Sequence, residues 1–173
     1  MGSQTFYIIF SLLFSFFFLA LAWIIKELNN IRKKLDTPPP STTNEEGRKM
    51  KLQALERLTL FAERNGLKNL VERISQPGMT ASDLHHALTE TIRSEFEYNQ
   101  SQQIYVSPEM WNAISRLRDQ NIYIIHHLTS NLPPQANGMD LAKVILEYSM
   151  TPNAEMNRIV LDALQYEAKT ILS

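Results

Sequence analysis

The sequence predicts an all-α protein: one N-terminal transmembrane helix, a Pro-rich linker and a compact bundle of about six helices. Three observations carry that prediction. Residues 6–25 form an apolar run with no charge, proline or glycine. From Glu45 onward apolar residues recur at helical spacing. Every proline beyond the linker falls at a boundary between helical segments, so propensity, capping and period agree.

The apolar run begins at Phe6 and stops at Ile25, before Lys26. At about 1.5 Å per residue it spans roughly 30 Å, the thickness of bilayer hydrocarbon. Its Leu, Ile and Phe side chains each favour insertion by about 0.3–0.6 kcal/mol, roughly 4–8 kcal/mol in sum. Residues 1–5 hold no Lys or Arg, whereas Lys26, Arg32, Lys33 and Lys34 follow the run. Cations beside a span favour the cytoplasmic side. The expected topology is a single pass through the cell (inner) membrane, with the short tail outside and the C-terminal domain cytoplasmic. Tyr7 and Trp23 fit the two interfaces, where amphipathic rings collect. The alternative is a signal peptide cleaved after Ala22, since Ala20-Leu21-Ala22 has the small-x-small form. The missing positive n-region and the cations past the run argue against it.

Residues 26–36 continue as a basic juxtamembrane helix. Leu28, Ile31 and Leu35 fall at i, i+3 and i+7, the spacing of a parallel homodimer seam. Three such positions are fewer than a coiled coil requires. The preferred reading is a basic segment on anionic membrane lipid, each cation contributing about 1 kcal/mol. Residues 37–44, with three successive prolines, form the linker. An extended polyproline path at about 3.1 Å per residue holds the domain some 20 Å or more from the surface.

Composition bounds what residues 45–173 do. Some 130 residues suffice for one core. The net charge of −1 places its cations beside the membrane, leaving the distal part mildly acidic. A nucleic-acid binder needs the opposite, a basic footprint against phosphates. The chain has no cysteine, which excludes disulfides, thiolate nucleophiles and thiolate metal sites.

The helices are read in order. Arg48–Arg64 carries Leu52, Leu55, Leu58, Thr59, Phe61 and Ala62, and Asn65-Gly66 supplies residues that tolerate a left-handed cap. A short helix over Leu67–Ile74 ends at Gln76-Pro77-Gly78. Thr80 to Asp83 resembles a capping box before a long helix with Leu84, Leu88, Ile92 and Phe96 on one face. Ser107-Pro108-Glu109 starts the next: serine cap, proline in the first turn and an acid at the positive dipole end. That helix carries Trp111, Ile114, Leu117, Ile125 and Leu128 and stops at Asn131-Leu-Pro-Pro. Asp140–Met150 and a last helix opening at Thr151-Pro152 complete the bundle. Residues 103–106 and 122–125 are β-rich but too short and isolated to build a sheet.

Leu52–Leu60, Ile92–Trp111 and the apolar N-terminus together resemble a family of uncharacterised single-pass bacterial membrane proteins. The resemblance covers nearly the whole chain. It implies an architecture and no activity, because the family is a domain of unknown function, and it carries no site residues.

Candidate chemistry is sparse. Glu95, Asn99 and Gln102 are expected on one face of the long helix, with Gln103 just beyond. Their charged and amide groups suit recognition of a protein partner, against the plainer role of a solvated helix end. His85-His86 and His126-His127 raise a metal alternative built on His86, Glu90 and His126, since His86 and Glu90 share a helix face. Neither Glu-x-x-His nor His-x-x-x-His occurs, so a hydrogen-bonded histidine is the plainer reading. No phosphate-binding glycine loop and no nucleophile elbow is present. The expectation is a membrane-anchored helical interaction module, an adaptor or complex subunit without catalytic activity or cofactor, binding an unknown protein or a second copy of itself. A metal-binding bundle or enzyme and a small-molecule sensor bundle are the alternatives.

Overall fold

The computed structural model describes residues 23–29 and 41–172. The chain divides into two compact units, Met1–Asn44 and Glu45–Ser173. In the first, residues 23–29 are helical and exposed, and Trp23 and Lys26 lie there. Residues 6–22 of the expected membrane helix, the 1–5 tail, Tyr7, Arg32, Lys33, Lys34 and linker residues 37–40 lie outside the described residues. Among the described residues no helix is long and apolar enough to cross a membrane.

The remainder is all-α. Its helices are α1 (Ser41–Asn65), α2 (Leu67–Ile74), α3 (Ala81–Tyr98), α4 (Pro108–Ser130), α5 (Gly138–Ser149) and α6 (Met156–Leu172). Short 3-10 turns occupy Gln100–Ile104 and Pro152–Ala154. Among the described residues the only isolated β pairing is a bridge between Thr80 and Asn137. The β-rich stretch 122–125 lies inside α4, where its Ile side chains pack as helix residues.

Local chemistry sets the helix starts. Thr80 accepts a hydrogen bond from the Asp83 amide at 3.1 Å, and Asp83 accepts one from the Thr80 amide at 3.1 Å. Each bond satisfies a donor that the helix itself cannot. Ser107 accepts from the Met110 amide at 3.1 Å, with Pro108 opening α4. Asn137 builds a second capping box, accepting from Met139 at 2.8 Å and Asp140 at 3.1 Å while Asp140 accepts from the Asn137 amide.

Several boundaries differ from expectation. The helix α1 begins at Ser41, inside the expected linker, because the three prolines end at Pro40 and nothing in Ser-Thr-Thr-Asn forbids helical dihedrals. The helix α5 begins at Gly138, ahead of the expected Asp140, because Asn137 supplies the cap. Pro152 opens a 3-10 turn, and α6 follows at Met156. The corner at Gly66 is not a left-handed cap: its φ is −57° and ψ 133°. Gly78 (φ 86°) is the only residue in the left-handed region among those described.

Two apolar clusters form the interior. Leu70 of α2, Leu84, Leu88 and Ile92 of α3, Ile125 of α4 and Leu141 and Ile145 of α5 make the first. Leu55, Leu58 and Phe61 of α1, Phe96 of α3, Ile114 and Leu117 of α4 and Val160 and Leu164 of α6 make the second. Each fully buried Leu, Ile or Phe contributes about 1.5–3 kcal/mol. Both α3 and α4 run through both clusters, so these two helices join them. Phe96 meets Phe61 edge-on at 6.0 Å and stacks on Trp111 at 5.1 Å, so these three rings pack together in the second cluster.

Candidate functional site

Of the four residues expected to bind a partner, Glu95, Asn99 and Gln102 make hydrogen bonds within the bundle. Glu95, at the fourth turn of α3, pairs with Arg64 at 3.1 Å and Arg73 at 3.0 Å. It also accepts from Asn65 Nδ2 at 2.9 Å. Asn65 is fully buried, and its amide nitrogen donates to Phe61 O at 2.8 Å as well. Asn121, at the middle of α4, donates to the backbone oxygen of Asn65 at 2.7 Å. Two arginines, two asparagines and one carboxylate thus fasten the α1–α2 corner to α3 and α4. The Asn65 Oδ1 is buried without a partner, because both groups in reach of that side chain are acceptors that claim its Nδ2. Arg64 is held more firmly protonated by its hydrogen bond to Glu95 and then by that residue's charge.

Asn99 is buried and caps α3, donating to Glu95 O at 2.8 Å and accepting from Arg57 Nε at 3.3 Å. Gln102 is buried in the 3-10 turn and donates to Ser101 Oγ at 3.1 Å. The long helix ends at Tyr98, so Glu95, Asn99 and Gln102 do not share one exposed helix face. Only Gln103 of the four is exposed. The helical period stops at the Asn99 cap, and Gln102 falls in the 3-10 turn beyond it.

The histidines meet across two helices, but with a different partner from the expected one. His126 Nδ1 on α4 stands 3.4 Å from His85 Nε2 on α3, with ring centroids 5.5 Å apart and planes tilted by 52°. His86 and Glu90 are exposed, and among the described residues no three His, Cys, Asp or Glu side chains gather as a metal-ligand group. The set His86, Glu90 and His126 is therefore not assembled. His85 flanks the buried stripe on the side of Thr89, a signal that the sequence did contain. The His85 pKa is lowered by burial and then by the charges of His126, His86 and Arg93. His127 instead stacks on Tyr123 at 6.0 Å.

Two open clefts mark the bundle's surface. One, of about 600 Å³, lies between α3 and α4 and is lined by Arg93, Glu97, Arg118, Asp119, Tyr123 and His126. Arg118 there covers the Phe96 ring at 4.1 Å and pairs with Asp119 at 2.7 Å. The other, of about 730 Å³, is more apolar and lies where the start of α4 meets α6. Ile104, Tyr105, Val106, Met110, Tyr166 and Ile171 line it, with Lys51, Glu109 and Glu167 among its polar residues. Ile104 and Tyr166 are 72% and 75% exposed, so apolar surface faces solvent at its mouth. Glu167 accepts from the Ser107 amide at 3.0 Å and its hydroxyl at 2.8 Å, fixing one wall. Sequence reasoning missed this groove, because it joins residues some 60 positions apart that no periodicity connects.

No curated protein and no solved structure matches the chain. One family description does, over residues 3–171, taking in the apolar run and the helical bundle together. The chain belongs to the family described as a family of unknown function (DUF7935).

Proposed function

We propose that the chain is a membrane-anchored helical interaction module, an adaptor or complex subunit without catalytic activity, whose bundle sits on the cytoplasmic side. The observation that carries this reading is the charge-free run of residues 6–25, closed by Lys26 and the cations Arg32, Lys33 and Lys34. Tethering would turn a weak encounter with another membrane protein into a near-intramolecular one. The groove beside Ile104 and Tyr166 supports the interaction half of the reading, because exposed apolar surface rimmed by polar groups suits an apolar segment of a protein partner. Glu95, Asn99 and Gln102 are committed to internal bonds, so contact falls to Gln103 and that groove.

The absence of cysteine makes the test direct. Single cysteines placed at Ser3 and at Ser173 are exposed to an impermeant thiol reagent on intact cells. Labelling at Ser3 alone is expected, together with retention in membranes after alkaline carbonate. Labelling at Ser173, or release by carbonate, refutes the anchor. A photo-crosslinker at Gln103 should then join one protein whose yield falls when Tyr166→Asp is introduced. A yield indifferent to Tyr166→Asp refutes the groove. The groove's volume also favours a second reading, a small-molecule sensor, since pockets of roughly 300–1,000 Å³ hold such ligands.

A further inference from the structure

We infer that His85 and His126 form a two-point site for a divalent transition-metal ion, bound through His85 Nε2 and His126 Nδ1. The two nitrogens are 3.4 Å apart. In the metal-free chain the contact is a long hydrogen bond, since N–H···acceptor distances prefer about 2.9–3.0 Å. Zinc–imidazole bonds are about 2.0–2.1 Å, and two of them at the tetrahedral angle put their nitrogens roughly 3.4 Å apart. The spacing thus suits one ion shared by both rings.

The pair is also fixed in place. His85 belongs to α3 and His126 to α4, and Leu84, Leu88 and Ile125 lock those helices together in the first apolar cluster. Assembly of the site therefore requires little further ordering of backbone. His126 is exposed and borders the cleft of about 600 Å³, so water or a ligand from outside can reach an ion held there. No third protein ligand joins the pair among the described residues, which makes the ion exchangeable and its affinity modest. Arg93 in the same cleft opposes a cation, and the carboxylates of Glu97 and Asp119 offset it, although Asp119 is already paired with Arg118. Imidazole donors suit zinc, nickel and copper, with copper(II) bound most tightly. This site differs from the His86, Glu90 and His126 set and is independent of the interaction role proposed above.

The test uses the 173-residue chain in detergent micelles, stripped with chelator. Zinc titration by calorimetry is expected to give one saturable site per chain. His85→Gln and His126→Gln should each weaken it at least about tenfold, since even outer-shell changes at metal sites cost 10–100-fold. His86→Gln should leave it unchanged. Copper(II) added to the unsubstituted chain should show hyperfine coupling to two imidazole nitrogens by electron paramagnetic resonance. Absence of saturable zinc, equal binding in His126→Gln, or a loss in His86→Gln as large as in His85→Gln overturns the proposal. Should His85→Gln fail to fold, the exposed His126 decides the matter alone.

Discussion

Glu95 accepts from two guanidinium groups and one buried amide while its own side chain is only 20% exposed. Removing that carboxylate leaves Asn65 Nδ2 with one partner fewer and two arginines without a counter-charge. Arg64 is 54% exposed, so water recovers most of its share. The remainder rests on Asn65 and the half-buried Arg73. Glu95→Ala is expected to cost about 1–3 kcal/mol, and Glu95→Gln less, because an amide oxygen still accepts from Asn65. Urea unfolding followed by circular dichroism measures both, and equal stability of Glu95→Ala and the parent chain would refute the network's role. His85 supplies the pH dependence. Its lowered pKa means the unfolded chain takes up a proton more readily than the folded one. Its contribution is therefore complete above the unfolded value of about 6.5 and is lost as pH falls through the folded value. In chelator, the melting temperature should fall more between pH 7.5 and 5 for the parent chain than for His85→Gln.

Helix starts were the most legible elements, because a cap is a local event. The Thr80 box and the Ser107-Pro108 start follow from side chains within three residues of the amides they satisfy. The Asn137 box was hidden by Gly138 at the first helical position, a residue that reads as a breaker. The reason for that glycine lies outside its own helix. A Cβ at Gly138 would come within 2.9 Å of Met79 O, and the Gly138 amide donates to that same oxygen at 2.8 Å. Backbone cannot step aside, so Gly138→Ala should destabilise by about 1–3 kcal/mol. Gly66 makes the informative contrast. A Cβ there would meet the Asn157 amide at 2.9 Å, the end of a side chain whose Oδ1 has no partner. Its dihedrals suit alanine, which lowers unfolded-state entropy, so Gly66→Ala should be within about 1 kcal/mol of neutral. A larger loss at Gly66 than at Gly138, in the same thermal-unfolding series, would contradict both accounts.

Across the whole bundle, helix order and most core positions were readable because an apolar stripe records which face is buried. The stripe does not record which helix it meets, so the division into two clusters was invisible. Neither could sequence show that the Glu95 face turns inward, since that depends on how the chain turns at Gly66 between α1 and α2. The division matters for unfolding. Leu58 sits in one cluster and Ile125 in the other, both fully buried, and α4 runs through both. A helix cannot melt halfway without exposing half of each neighbouring face, so the two clusters should unfold together. Trp111 reports on the second cluster only, and Trp23→Phe removes the chain's other tryptophan signal. In that background Ile125→Ala should cost about 2–5 kcal/mol. It should shift the Trp111 fluorescence transition as far as the circular-dichroism transition, although Ile125 lies in the other cluster. A Trp111 transition that stayed in place while circular dichroism moved would show two independently stable halves, and α4 would then be a hinge rather than a shared spine.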